Sequence, residues 1–305
     1  MQLMRRKVLI AGANGLLGQR LVRVFQDDYD VLGIGRRAQP KLPAGNFQYR
    51  QGDITHRQQL RDLVLEFVPN IIINAAGFTD VDGSETEREL CWRVNVTGVE
   101  NLIYTAQKVQ ARLIHFSTDY VFDGKAGPYN EAARPNIDGA GFYARSKLAG
   151  ENALRHSDIH YAIVRTMVLY GTGYDLRPNF VSWLICQLLL GKTVRIVDDQ
   201  FGNPTLASEL ASAVRALAEC GGQGIYHISG SEVIDRYHFA LKIAEVFDLD
   251  PRLIRPVKTS ELQQAAPRPL RSGFDISKAV RELGITMSDA LGGLRKYKRE
   301  LASLN

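Results

Sequence analysis

The stretch Lys7-Val8-Leu9-Ile10-Ala11-Gly12-Ala13-Asn14-Gly15-Leu16-Leu17-Gly18 decides the fold. An apolar run of strand character ends on three glycines spaced G-x-x-G-x-x-G, and a helical apolar pattern over residues 17–25 follows at once. Glycines allow a tight turn and a close backbone approach. A helix that starts directly behind them offers unpaired N–H groups to a pyrophosphate. The strand before and the helix after separate this triplet from an ordinary turn, although many dehydrogenases space it as G-x-G-x-x-G. Gly12, Asn14, Gly15, Leu16, Leu17 and Gly18 are therefore candidate cofactor residues.

The end of the next strand selects the dinucleotide. An enzyme for NAD usually places Asp or Glu there to hold the ribose 2′-hydroxyl. This chain has Gly33-Ile34-Gly35-Arg36-Arg37. A carboxylate would repel a 2′-phosphate, whereas Arg36 and Arg37 offer it charge-assisted hydrogen bonds, so NADP(H) is favoured over two solvated surface arginines. Asp53 and Ile54 follow the third strand, where such folds touch adenine; a helix cap by Asp53 or Thr55 is the alternative. Ala75, Ala76 and Gly77 leave room for a cofactor above the fourth strand.

Outward from this site, strand-like runs at 7–11, 29–34, 47–50, 71–75, 112–117 and 161–166 alternate with helical patterns at 17–25, 57–67, 88–108 and 142–155. Several of the strands are apolar on both faces, which predicts a doubly wound α/β fold with a parallel sheet. After about residue 168 the rhythm changes: helices at 180–190, 208–218 and 237–247, strands at 192–197 and 224–228, and a last helix from Ser288. This divides the chain into a dinucleotide-binding domain, 1–168, and a smaller, partly interwoven substrate domain, 169–305, with segments near 201–229 returning to the sheet.

At 305 residues with 45% hydrophobic content, the chain has enough apolar material for a substantial core. Its apolar runs, such as 71–73 and 188–190, are far too short to span a bilayer, and 5–11 does not read as a signal peptide. The three scattered cysteines have no metal-ligand spacing and suit reduced thiols, so a cytoplasmic location is expected. The net charge of +5 is interspersed and does not argue for nucleic acid. The basic run 295–299 reads as a solvated helix face.

Tyr143 and Lys147 stand four apart in a helical stretch and share a face. A free phenol is a weak acid–base catalyst near neutrality, and a neighbouring ammonium favours the phenolate. Tyr143 would then exchange a proton with a carbonyl or alcohol oxygen, while Lys147 also reaches the nicotinamide ribose. Ser117 or Thr118, ending the fifth strand, supplies a hydroxyl to orient that oxygen.

Seven blocks carry a resemblance: Gly12 to Gly18; Asn74-Ala75-Ala76-Gly77-Phe78-Thr79-Asp80-Val81-Asp82; Asn95-Val96; Ser117-Thr118-Asp119-Tyr120-Val121-Phe122-Asp123-Gly124; Tyr143-Ala144-Arg145-Ser146-Lys147-Leu148-Ala149-Gly150-Glu151; Asp199-Gln200-Phe201-Gly202-Asn203-Pro204-Thr205; and Arg268-Pro269. The sequence resembles the extended short-chain dehydrogenase/reductases, and within them the dTDP-4-dehydrorhamnose reductase branch, up to about residue 278. The resemblance implies Thr118, Tyr143 and Lys147 as a catalytic triad. It implies substrate contacts from Thr79, Val81, Asp119, Val168, Gln200, Asn203 and Arg268. Read from the residues alone, Arg268 is a diphosphate clamp or a structural ion pair.

The implied reaction is NADPH-dependent reduction of a nucleotide-linked 4-keto-6-deoxyhexose, dTDP-4-dehydro-L-rhamnose to dTDP-L-rhamnose. Relatives form dimers in some cases, some with magnesium; the sequence has no ligand cluster that would establish a Mg2+ site, and a homodimer is the implied assembly. At Val168 the chain departs from the family, which commonly has a tryptophan there against the sugar ring. Two other readings therefore stay open: a reductase or epimerase of different specificity, and an NADP-binding regulatory subunit resembling the methionine adenosyltransferase β subunit.

Overall fold

A computed structural model describes residues 5–303. In chain order, the first half comprises β1 (Lys7–Ala11), α1 (Leu16–Phe25), β2 (Asp30–Gly35), β3 (Gln48–Gln51), α2 (Arg57–Phe67), β4 (Ile71–Asn74), α3 (Arg88–Trp92), α4 (Gly98–Val109), β5 (Arg112–Thr118), α5 (Phe142–Arg155) and β6 (Tyr161–Thr166). The second half holds β7 (Leu169–Tyr170), α6 (Phe180–Leu189), β8 (Val194–Val197), β9 (Phe201–Gly202), β10 (Thr205–Leu206), α7 (Ala207–Cys220) and β11 (Gly224–His227). It ends with β12 (Ile234–Asp235), α8 (Arg236–Phe247), β13 (Ile254–Val257), α9 (Ser277–Leu283) and α10 (Ala290–Ala302).

Seven strands form one sheet in the order β11-β6-β5-β4-β1-β2-β3, and every pairing within it is parallel. Parallel strands need helical crossovers, which cover both faces and explain why β1 and β4 are apolar on each side. One face packs Val8, Ile10 and Ile73 against Leu21 and Phe25 of α1 and Leu210 and Val214 of α7. The other packs Leu9, Ile72 and Leu113 against Leu60 and Val64 of α2 and Val99 and Leu102 of α4. The order reverses between β1 and β4, so the connections leave in opposite directions and open a crevice at the carboxyl ends of the strands.

Two departures from the sequence pattern shape the site. The expected single helix over 88–108 is interrupted by a π turn, Arg93–Thr97. There, Asn95 turns inward: its Oδ1 accepts from the Phe78 N–H at 2.9 Å, and its Nδ2 donates to the Phe78 carbonyl and, at 3.0 Å, to the Ser146 hydroxyl. Close packing of α5 presses on the same point, since a Cβ on Gly150 would lie 2.5 Å from the Asn95 carbonyl oxygen. The second departure lies after residue 168. β11 pairs with β6 and extends the main sheet, whereas β9 and β12 form a small antiparallel pair outside it.

The unpatterned segment containing Pro256 forms β13, parallel to β8. With α6, α8 and α10 these strands enclose a separate core around Leu184, Phe239, Ile243 and Leu294. No helix among the described residues is long and apolar enough to cross a membrane.

Candidate active site

The crevice is a cleft of about 600 Å³ whose walls include Gly12, Asn14, Gly15, Leu16, Ala75, Ala76 and Gly77. Gly12 has φ +80°, and a Cβ there would sit 2.6 Å from the Ala76 nitrogen. A Cβ on Gly18 would sit 2.1 Å from the Gly12 oxygen, so α1 presses on the turn. Gly15 caps α1 without a side-chain hydrogen bond, and the first turn carries no acidic residue. Its N–H groups stay available to an anion, and the residues present fit a dinucleotide pyrophosphate. Leu17 instead turns into the sheet core.

The arginine loop is fastened from behind. Tyr49 Oη donates to the Arg37 carbonyl at 2.7 Å, and Gln51 Nε2 donates to the Arg36 carbonyl at 2.9 Å. Asn14 joins it to the glycine turn, donating to Tyr49 Oη at 2.9 Å and accepting from the Lys41 N–H at 2.8 Å. With their main chain held this way, both arginine side chains remain exposed on the cleft wall, and Lys41 stands beside them. Asp53 and Ile54 also line the cleft. Asp53 accepts from the Thr55 N–H at 2.9 Å, and α2 starts behind His56, so neither Asp53 nor Thr55 is the helix cap.

Tyr143 and Lys147 are both buried on α5. The N–H groups that open this helix are held by the segment after β4: Tyr143 donates to Ser84 Oγ at 3.1 Å, and Phe142 donates to Glu85 Oε1 at 2.6 Å. Ser146, between the two candidates, is tied through Asn95 to Phe78 on the cleft wall. α5 is thus tied to the wall of the cofactor cleft, although none of its own residues lines it. Burial holds the Tyr143 phenol well above its ordinary range, while the Thr118 hydroxyl beside it pulls the other way.

This corrects the sequence-based expectation that the lysine governs that phenol. Lys147 Nζ donates to the Phe116 carbonyl at 2.6 Å, and burial lowers its own pKa to about 8, with Glu151 opposing. Desolvation is the largest influence on the phenol, and Lys147 is not among the groups that act on it, so the phenol stays protonated. A protonated phenol is the form that can donate. Beneath α5, Glu151 takes two hydrogen bonds from Arg165, at 2.8 and 2.6 Å, in a fully buried ion pair.

On the other side of Tyr143, Tyr120 meets it edge-on at 5.4 Å. Thr118 Oγ1 donates to Asp119 at 3.1 Å, and burial raises the Asp119 carboxyl. Thr79 lines the cofactor cleft, while the Val81 carbonyl accepts from Ser84 at 2.6 Å. Arg268 makes a 2.7 Å ion pair with Asp82 and donates to the Ala266 carbonyl at 3.0 Å.

Gln200 donates to Thr259 and Gln264, at 3.0 and 3.2 Å. Asn203 is wholly buried: it donates to the Gly230 carbonyl at 2.8 Å and accepts from the Phe274 N–H at 2.8 Å. Its amide shapes the loop. Val168 has φ 47°, a left-handed conformation that is rare for a β-branched residue, at the bend between β6 and β7.

Arg236 was not legible in the sequence. It opens α8, where its guanidinium lies over the Phe180 ring at 5.2 Å and its charge reaches Tyr120 and Asp119. Its backbone N–H donates to the Gln200 carbonyl at 3.1 Å, so the short β9–β12 pairing brings it there. No motif marks it. Ser84, Glu85, Asn95 and Lys41 were missed for a similar reason, because each acts through a contact distant in sequence. Only the Asn95-Val96 block signalled any of them.

A family model described as the RmlD substrate binding domain matches residues 6–302. The chain is 36% identical over 272 residues to a dTDP-4-dehydrorhamnose reductase of Mycobacterium tuberculosis, covering 86% of this chain and 82% of the relative. It is 34% identical over 288 residues to Methionine adenosyltransferase 2 subunit beta of Xenopus tropicalis, covering 92% and 83%. A crystal structure of dTDP-4-dehydrorhamnose reductase from Bacillus anthracis in complex with NADP superposes with TM-score 0.87 at 32% identity, covering 97% of this chain and all of that one.

Proposed function

The chain belongs to the RmlD substrate-binding domain family, and from that membership we propose that it is an NADP-dependent oxidoreductase that reduces the 4-keto group of a nucleotide-linked 6-deoxyhexose, dTDP-4-dehydro-L-rhamnose to dTDP-L-rhamnose. The observation that carries the reading is a buried Tyr143 beside the Thr118 hydroxyl, on a helix tied through Ser146 and Asn95 to Phe78 on the wall of the glycine-turn cleft. The relatives named dTDP-4-dehydrorhamnose reductase, one of them with NADP bound, support it.

NADPH, when bound, supplies the hydride. Gly12, Gly15 and the start of α1 hold its pyrophosphate, and Arg36 and Arg37 its 2′-phosphate. Thr118 turns its hydroxyl proton from Asp119 to the carbonyl oxygen and fixes that oxygen next to the phenol. Tyr143 delivers its proton to that oxygen as charge develops there. Lys147, on the same helix face, is the cation available to the phenol once NADPH and substrate are bound and a phenolate develops. Asp119, Tyr120 and Arg236 form the wall on the substrate side. The free cysteines Cys91, Cys186 and Cys220 fit a cytoplasmic location.

A panel of 4-keto-6-deoxysugar nucleotides assayed for NADPH consumption, with the sugar product identified, tests the reading. Tyr143→Phe should cut turnover by about 100-fold or more while leaving the NADPH Kd within about twofold. Surviving turnover removes the role given to Tyr143. A second reading, an NADP-binding regulatory subunit, is favoured by the relative named Methionine adenosyltransferase 2 subunit beta and by Val168 in place of an aromatic residue. Its signature is NADPH binding without oxidation by any member of the panel.

A further inference from the structure

Between β7 and α6 the chain crosses back over α1 and returns to the cofactor cleft. Gln19, itself buried, grips this strap at one point: it accepts from the Tyr174 N–H and donates to the Tyr174 carbonyl, both at 2.9 Å. Arg20 Nε donates to the Thr172 carbonyl at 2.9 Å. Beyond these anchors, Leu176 and Arg177 form part of the cleft wall.

Asp175 stands between the anchors and the wall with φ 48°, and this left-handed turn aims it at the arginine loop. Its carboxylate lies 2.9 Å from Arg37 Nη1 and 3.2 Å from Lys41 Nζ, and Lys41 also donates to its carbonyl. Arg36 has no acidic partner among the described residues. Both of the bridged cations line the cleft beside the end of β2, where the ribose 2′ position of a dinucleotide falls.

We propose that Asp175 is a tethered anion that competes with the cofactor 2′-phosphate for Arg37 and Lys41, and so sets the margin by which the chain prefers NADPH over NADH. Carboxylate and phosphate use the same donors in the same geometry. The phosphate carries the greater charge and displaces the carboxylate, with Arg36 as its first contact. The Lys41 and Arg37 contacts hold the Asp175 carboxyl below its ordinary range, so it is an anion at neutral pH. A cofactor without the 2′-phosphate leaves the bridge in place. The inference rests on NADP(H) as the cofactor.

The experiment measures Kd for NADPH and NADH by quenching of protein fluorescence in the wild type, Asp175→Asn, Lys41→Met and the double variant. Asparagine tolerates the left-handed backbone, so the turn is kept; Asp175→Gly is a second variant on the same ground. Asp175→Asn should tighten NADPH by about three- to tenfold, leave NADH unchanged, and lose most of its effect at high salt or beside Lys41→Met. Weaker or unchanged NADPH binding overturns the proposal, since the carboxylate would then position the cations and not compete for them. Equal tightening of both cofactors overturns it too. If the wild type binds NADPH no more tightly than NADH, the NADP(H) reading itself falls; if it prefers NADPH and Asp175→Asn changes nothing, only the present inference falls.

Discussion

Lys147 carries its charge into a place almost without water, and the cost appears in its own proton affinity. Burial lowers its pKa from the ordinary 10.5 to about 8. Between those two values the unfolded chain holds a proton that the folded chain has released. Stability therefore rises with pH through that window, and below about pH 8 both states are protonated and the full cost is present. Lys147→Met should accordingly gain most over the wild type below pH 8, on the order of 3 kcal/mol, with the difference shrinking towards pH 10. Urea unfolding of both proteins across that range measures it. A pH-independent difference would mean that Lys147 is not desolvated as described.

At the scale of elements, the π turn at 93–97 joins the cleft wall at Phe78 to α5. An unbroken α-helix would carry Asn95 out of register with both Phe78 and Ser146, and π turns concentrate at functional sites. Asn95 is buried, and its side chain satisfies the Phe78 N–H and carbonyl together with the Ser146 hydroxyl. Asn95→Ala strands these groups and should cost about 1–3 kcal/mol in urea unfolding. Because Ser146 lies between Tyr143 and Lys147, turnover should fall as well. Asn95→Asp restores the acceptor to Phe78 but not the donors, and should recover only part of the stability.

Across the whole molecule, the C-terminal helix closes onto the first one. Glu300 on α10 pairs with Arg20 of α1 at 3.0 Å and accepts from Thr172 at 3.3 Å and from Ser208. One carboxylate thereby fastens α1, the strap and α7. Arg20 is buried, and burial lowers its pKa against the pull of Glu300. Removing the carboxylate leaves a buried cation without its partner. Glu300→Ala should destabilise the protein by about 1–3 kcal/mol and loosen the strap. Thermal unfolding reads the first effect and proteolysis near residue 175 the second; an unchanged melting temperature would show that other contacts hold the ends together.

Much of this was written into the chain locally. A both-sided apolar pattern can be buried only between helices, which made the parallel sheet legible from strands such as Ile71–Asn74. The glycine turn was readable because its requirement is steric and short in range. The doubly wound class, the NADP(H) cofactor and the reductase reading all follow from such signals, sharpened by motif blocks. What the sequence could not convey depends on contacts between distant segments. The Arg236 guanidinium over the Phe180 ring, the ion pair of Arg268 with Asp82, the bonds of Asn203 to Gly230 and Phe274, and the bridge from Asp175 to Arg37 and Lys41 all join residues far apart in the chain. The charge states of Tyr143 and Lys147 belong with them: sequence spacing put the pair on one helix face, but the water excluded around each group set its proton affinity, and that exclusion exists only once the chain has folded.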